Sequence, residues 1–167
     1  MTNEWYIQIF PTGKNKKQKE AYNIAENRTI EKQEIGINFY GCIPRLDDHN
    51  KLLKLDFTDR GLETFNERQK KYKNKVFTYF INNMKVNDII YLKNGSKILY
   101  KAKIASDYIL DETNYKYLHT QNLTEEDFNT IKNDNWFWRH RRKIKDIEKI
   151  YEIKSGYSRQ TLYCKKL

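Results

Sequence analysis

The sequence predicts one α+β domain, a small, partly closed β-barrel of about five to six strands flanked by helices. Segments of strand composition recur along the chain and are separated by segments of helical periodicity. No repeat of roughly 20 to 50 residues and no low-complexity linker interrupts that order. A chain of 167 residues also suffices for one domain to bury a core without disulfides or metal. A single domain over residues 1–167 is therefore expected.

The first predicted elements are two strands with a lysine-rich segment between them. Residues 5–10 have strand composition and stop at a Pro-Thr-Gly turn signal. Residues 14–26 fit either a short helix or a mobile basic loop, and the pattern leaves both open. Residues 34–41 alternate as a strand does and run into Gly41 and Pro44, where we expect a bend.

An amphipathic helix is predicted between residues 59 and 84. Apolar side chains recur there three, four or seven positions apart on a charged background. The pattern allows one helix, or two in tandem that are broken near Asn74. Thr58 or Asp59 is the expected N-cap, and Asn82 lies near the expected end.

A β-hairpin follows that helix. Residues 85–92 enter a strand through a tight turn, and residues 98–105 form its partner strand. Asn94 and Gly95 lie between them as the strongest short hairpin signal in the chain.

The last elements are a short helix and two strands. Thr124 is placed to cap the helix, with Asp127 reaching back as a shortened capping box. Residues 136–150 and 160–165 complete the predicted sheet.

The charge balance favours a polyanionic partner. The chain has 32 Lys and Arg against 22 Asp and Glu, which gives a net charge of +10 and a pI near 9.4. Nucleic acid is the default partner, because neutralised phosphates release their condensed counterions. Lysine excess alone is weak support, since A/T-rich coding raises Lys, Asn, Ile and Tyr together. Of only eight arginines, however, three lie within residues 136–143 (WFWRHRRK), and that clustering is informative.

If this basic segment is extended, its side chains alternate between two faces. One face then carries Phe137, Arg139, Arg141, Lys143 and Lys145. The other carries Trp136, Trp138, His140, Arg142 and Ile144. A solvated outer sheet face is the ordinary explanation of such charges, but the net charge and the adjacent tryptophans favour a ligand.

The remaining chemistry-bearing residues point away from catalysis and export. Cys42 and Cys164 lie near opposite ends of the chain without metal-ligand spacing, which favours a reduced, cytoplasmic setting. No signal peptide and no apolar run of roughly 18 residues is present. His49, His119 and His140 lie in unrelated segments, and no phosphate-binding glycine loop or zinc signature occurs. We therefore expect a binding module with no catalytic residues, metal or cofactor, and keep an enzyme as the minor alternative.

Five segments, taken in order, resemble the PUA-like EVE and YTH group of domains. They are residues 35–41 (IGINFYG), 84–90 (MKVNDII), 101–108 (KAKIASDY), 138–144 (WRHRRKI) and 159–163 (RQTLY). The likeness is greatest to the N-terminal specificity domains of McrBC-type modification-dependent restriction proteins, and it spans residues 5–165. Two positions depart from the family pattern: Asn87 stands where a glycine is usual, and Phe39 or Tyr40 where a tryptophan is usual. Asn87 tolerates a left-handed turn, so the first departure is mild.

The resemblance implies a barrel with an aromatic pocket that accepts one extruded, often methylated base. By matching positions, the base pocket would comprise Asn38, Phe39, Tyr40, Asp107, Tyr108, Trp136 and Trp138. Phosphates would be held by Arg139, His140, Arg141, Arg142 and Lys143. Trp5 is expected in the core instead, because it lies in the first strand.

The implied function is the reader part of a modification-dependent restriction system, with a nuclease or NTPase in a separate domain or subunit. DNA is the expected nucleic acid. A YTH-like reader of methylated single-stranded RNA is the first alternative, because the same pocket would accept methylated adenine. A protein-interaction module that uses a tyrosine-rich surface is the second.

Overall fold

A computed structural model describes residues 2–10, 15–37, 42–57, 65–111, 123–133, 139–153 and 161–165. Its helices are α1 (Lys16–Lys32), α2 (Glu67–Thr78) with a π-helical turn (Tyr79–Asn83) directly after it, and α3 (Glu125–Lys132). Its strands are β1 (Glu4–Gln8), β2 (Glu34–Ile37), β3 (Cys42–Leu46), β4 (Leu52–Phe57), β5 (Ile89–Asn94), β6 (Lys97–Ile104), β7 (Ile109–Leu110), β8 (His140–Ile153) and β9 (Leu162–Lys165).

The main sheet has the strand order β2-β8-β6-β5-β1-β9, and β7 also pairs with β8. Strands β1 and β5 are parallel, whereas the other pairs are antiparallel. This path curls into a half-barrel with helices against it, so the predicted α+β class and the partly closed barrel are confirmed. Strands β3 and β4 form a separate hairpin.

The hydrophobic core lies on the concave side of this sheet. Inward side chains such as Trp5, Ile90 and Ile144 are buried there with Phe77 and Phe80 from the end of α2. Trp5 thus lies in the core, as predicted, and its indole Nε1 donates a 2.8 Å hydrogen bond to the buried carboxylate of Asp88. None of the described helices combines the length and apolarity needed to cross a membrane.

Local capping sets where the helices begin. The lysine-rich segment is helical rather than a loop, and Asn15 caps α1 by accepting from the Gln18 backbone N–H at 2.8 Å. Asn66, not Thr58 or Asp59, caps α2, because Asn66 and Gln69 satisfy each other's backbone N–H groups.

The two candidate caps Thr58 and Asp59 lie outside the described residues. For α3, the predicted capping box of Thr124 and Asp127 is confirmed by reciprocal bonds of 3.1 and 3.2 Å.

The β3–β4 hairpin is where the sequence-based expectation was wrong. Pro44 was expected at a bend, but it lies inside β3 opposite Leu55. Proline is tolerated on edge strands, and both strands of a two-stranded sheet are edge strands. Asn82 docks this hairpin on the π-helical turn, because its side chain accepts from the Leu52 N–H at 2.8 Å and donates to the Leu52 carbonyl at 3.3 Å.

Two predicted turns are confirmed by backbone geometry. Asn87 has a φ of 72° in the tight turn before β5, a left-handed conformation that Asn tolerates. Gly95 has a φ of 61° in the turn that joins β5 to β6.

Candidate nucleic-acid interface

The basic strand β8 alternates as the sequence predicts. Arg141 and Lys143 point outward, while His140, Arg142 and Ile144 are buried on the core side. Trp136, Phe137 and Trp138, which precede the strand, lie outside the described residues. The two faces of β8 therefore have different roles.

Arg142 is a structural residue of the core and not a surface phosphate contact. Only 1% of it is exposed, and its guanidinium donates to the Phe80 carbonyl at 2.7 Å, the Ser106 carbonyl at 2.9 Å and the Ile81 carbonyl at 3.1 Å. Burial lowers the pKa of Arg142 to about 10, so it remains a cation at neutral pH. The prediction that Arg142 binds phosphate was wrong, because these donors satisfy carbonyls of the π-helical turn and of the loop after β6.

His140 is also excluded from phosphate binding, because it is fully buried and uncharged. Burial, aided by the charge of Arg139, lowers the pKa of His140 to about 3. Its Nδ1 is hydrogen-bonded to the Tyr108 hydroxyl at 2.7 Å, and the Phe77 ring meets the imidazole edge-on at 5.0 Å. Among the described residues, no partner reaches its Nε2.

The outward arginine and lysine of β8 are held by carboxylates. Arg141 contacts Glu34 at 3.3 Å and Asp111 at 3.0 Å, and Lys143 forms an ion pair with the same Glu34. Glu34 is buried in β2, where it lies opposite Lys143 in the register. Arg139, at the start of the strand, is half-buried. These three cations are thus available to a ligand only in part.

A second group of outward cations lies further along the same surface, which we call the β6–β8 face (Lys101, Lys103, Lys143 and Lys145). Lys103 lies directly opposite Lys145, and Lys101 lies opposite Glu148. Lys103 and Lys145 are both exposed. Asp146, in a left-handed conformation with a φ of 52°, places its carboxylate 3.3 Å from Lys103.

Sequence reasoning named Lys145 on this face but missed Lys101 and Lys103. The signal for both was the alternation of the predicted strand at residues 98–105, where the two lysines are two positions apart and so share one face. The residues of β8 that lie opposite these two lysines were not predictable, because they depend on the β6–β8 register and its bulges.

The predicted base pocket is described only in part. Five of its seven residues lie outside the described ranges: Asn38, Phe39, Tyr40, Trp136 and Trp138. Asp107 is exposed, whereas Tyr108 is half-buried with its hydroxyl on His140 and its ring edge-on to Phe80 at 6.3 Å. Burial raises the pKa of Tyr108 above its usual range, so the phenol stays neutral.

The strand register brings the attachment points of the predicted pocket segments together. Ile37 and Leu110 both pair with His140, one from each side. In the sequence, Asn38 follows Ile37, and Trp138 precedes His140 by two positions. The described backbone therefore supplies one shared edge from which the segments 38–40 and 136–138 continue.

A ladder of tyrosines adjoins the β6–β8 face. Tyr6 stacks against Tyr91 on one side and Tyr163 on the other, with both centroid distances at 4.8 Å, and Tyr91 lies opposite Lys101. The ring faces between these tyrosines cover one another, and Tyr6 is only 5% exposed. This ladder braces three strands and offers a partner protein less surface than the tyrosine content suggests.

Among the described ranges, no group of three or more His, Cys, Asp or Glu side chains is arranged to hold a metal ion. No protein-family model, curated protein or solved structure matches the chain. The functional assignment therefore depends on the geometry of the site.

Proposed function

We propose that the chain is a nucleic-acid-binding specificity module. Its β6–β8 face contacts the sugar-phosphate backbone, and a pocket beside His140 takes in one extruded base, which in DNA would be a methylated base. This is the role of the EVE and YTH-like domains that the sequence resembles, and it makes the chain the reader of a modification-dependent restriction system. Cleavage would belong to a separate domain or subunit, and the setting would be the reduced cytoplasm that the spacing of Cys42 and Cys164 in the sequence favours.

The observation that carries the phosphate contact is the pairing of Lys103 with Lys145. Like charges directly opposite each other on neighbouring strands destabilise a sheet. Asp146 contacts Lys103, yet neither Lys145 nor the adjoining Lys101 forms an ion pair with a carboxylate in the described part of the chain. An anionic ligand would relieve this repulsion, and counterion release would add to the affinity.

The support for a base pocket is the buried edge around His140. A buried polar atom without a partner costs about 1–3 kcal/mol, and the described residues leave His140 Nε2 in that state. A neutral imidazole offers one donor and one acceptor, and Tyr108 occupies its Nδ1. Because His140 is fully buried, a base edge would reach Nε2 only after the segments around it move apart, and the bond would then recover this cost and read the base.

A panel of oligonucleotides tests both parts. Plain and methylated duplex DNA and methylated single-stranded RNA would be titrated against the wild type, Tyr108→Leu and Lys145→Gln. We expect Tyr108→Leu to abolish the preference for the methylated base, and Lys145→Gln to weaken binding to all ligands alike. Equal affinity of the wild type for methylated and plain duplexes would refute base reading, and a preference for methylated RNA would favour the RNA reader.

A further inference from the structure

Helix α2 carries a second cationic surface that the β6–β8 face does not include. Arg68, Lys71 and Lys75 are all exposed and are spaced three and four positions apart, so they lie along one side of the helix. Val76 and Phe77 are buried on the other side. We call these three cations the α2 stripe.

No carboxylate in the described part of the chain neutralises the α2 stripe. Within the described residues, none of its three cations forms an ion pair with a carboxylate, and the only acid of α2 is Glu67, whose contact is with Lys70 at 3.7 Å. By contrast, Arg141 and Lys143 of the β6–β8 side share the buried Glu34. The positive potential of α2 is therefore exposed to solvent.

Two further lysines of α2 lie off the α2 stripe, over aromatic rings on another side of the helix. Lys70 lies 5.7 Å from the Phe57 ring centroid and Lys73 lies 5.0 Å from that of Phe65. The two phenylalanines pack edge to face at 5.6 Å. Ring contacts hold the ammonium groups near the start of the helix without removing their charge.

The α2 stripe and the β6–β8 face lie on opposite sides of the sheet. The end of α2 packs on the core side of β8, where Arg142 binds the Phe80 and Ile81 carbonyls and His140 meets Phe77. Lys103 and Lys145 point away from the other side of that sheet. One straight stretch of backbone therefore cannot contact both surfaces.

We propose that the α2 stripe binds a second stretch of nucleic-acid backbone, so that one chain bridges two segments. The inference rests on the proposed function for the first segment and adds the second. Lys75 lies seven positions after Arg68, which is about 10 Å along the helix at about 1.5 Å per residue, and each strand of a duplex presents one charge per about 3.4 Å of the axis. The side chains can thus reach several phosphates of one strand.

A lipid surface fits the α2 stripe less well than nucleic acid. Amphipathic helices that lie on membranes insert an apolar face. The solvent side of α2 presents Asn74 and Thr78 between its charges, and its apolar residues Val76 and Phe77 are buried in the core.

A capture assay tests the bridge. The protein would be bound to an immobilised plain duplex, washed, and then offered a fluorescent duplex of the same sequence. The variant Arg68→Gln/Lys71→Gln/Lys75→Gln would be compared with Lys16→Gln/Lys19→Gln/Lys32→Gln, which removes the same charge from exposed positions of α1. All six positions are exposed, so both variants should keep the wild-type unfolding midpoint within error.

We expect the α2 variant to remain on the immobilised duplex but to capture at least about tenfold less of the second duplex, because it has lost its contacts with that backbone. Each lost phosphate contact should also lower the slope of log K against log salt by about 0.9. The α1 variant should capture as the wild type does. Wild-type capture by the α2 variant, or equal loss in both variants, would overturn the bridge while leaving the proposed function intact. Failure of the wild type to bind the immobilised duplex would refute the contact of the β6–β8 face with duplex backbone, and with it the bridge.

Discussion

The arginines of β8 and the lysines of α2 differ in what they contact. Arg142 donates three hydrogen bonds to core carbonyls, and Arg141 spans two carboxylates. Lys71, on α2, is exposed and has no carboxylate partner among the described residues. A guanidinium presents five donors in a fixed fork that can bridge several acceptors, whereas an ammonium is compact and strongly hydrated.

The structure therefore reverses the expected roles of arginine and lysine in ligand binding. The arginine cluster suggested a ligand, and the abundant lysines suggested only base composition. In the structure, Arg141 and Arg142 of the cluster mainly hold the protein together, while the exposed cationic surfaces of β6, β8 and α2 consist mostly of lysines. A cluster of arginines therefore indicates that many hydrogen-bond acceptors lie nearby, and these acceptors can be the carbonyls and carboxylates of the protein itself.

The largest expected effect is on stability at Arg142. Arg142→Ala removes the donor from two buried carbonyls and one partly buried carbonyl, and at about 1–3 kcal/mol for each unsatisfied buried group the loss should be at least about 2 kcal/mol. Urea denaturation followed by circular dichroism measures this loss. Arg141→Ala, on the outward face, should cost much less and serves as the matched control.

A folded Arg142→Ala protein of wild-type stability that binds nucleic acid weakly would break the comparison. That result would return Arg142 to the phosphate-binding set.

The next effect is the pH dependence that His140 imposes. Its pKa of about 3 in the folded protein lies below the ordinary value of 6.5, so between those values the unfolded chain binds the additional proton. The contribution of His140 to the free energy of unfolding is fully present above pH 6.5. It falls as the pH decreases toward 3, by at most about 1.4 kcal/mol per pH unit. Unfolding midpoints from pH 7 to pH 4 should therefore fall less steeply for His140→Phe than for the wild type. Identical slopes would show that His140 is accessible and charged.

A smaller effect is expected at Glu34, where the two kinds of cation meet. Glu34→Gln removes the carboxylate that Arg141 and Lys143 share, and it should cost about 1 kcal/mol because both cations are partly solvated. The same change frees Lys143, leaves Arg141 with Asp111 alone and raises the net charge, so affinity for duplex DNA at low salt should rise. Fluorescence anisotropy measures the change in affinity, and an unchanged or lower affinity would exclude these cations from the interface.

Much of the fold could be predicted because it depends on local chemistry. The capping box of Thr124 and Asp127, the left-handed turn at Asn87 and the alternation of β8 each follow from a few neighbouring residues. The β3–β4 hairpin had a local signal as well, since Asp47 Oδ1 accepts from the His49 and Lys51 N–H groups and closes its turn. That signal was overlooked because Pro44 suggested a bend.

The site was less predictable because it depends on long-range pairing. Alternation places the side chains of His140 and Arg142 on the opposite face of the strand from Arg141 and Lys143. It does not predict which of the two faces packs on the core. The opposition of Lys103 and Lys145 requires the β6–β8 register, and the parallel pairing of β1 with β5 joins segments more than 80 residues apart. Contacts of this kind become visible only in the folded chain.

The salt dependence of duplex affinity is the most direct measurement of the phosphate contact. The dissociation constant of the wild type and of Lys103→Gln/Lys145→Gln would be measured at a series of salt concentrations. We predict that the double variant binds more weakly at low salt, with a slope of log K against log salt that is smaller by nearly 2, at about 0.9 per lost phosphate. An unchanged slope would show that nucleic acid does not contact the β6–β8 face.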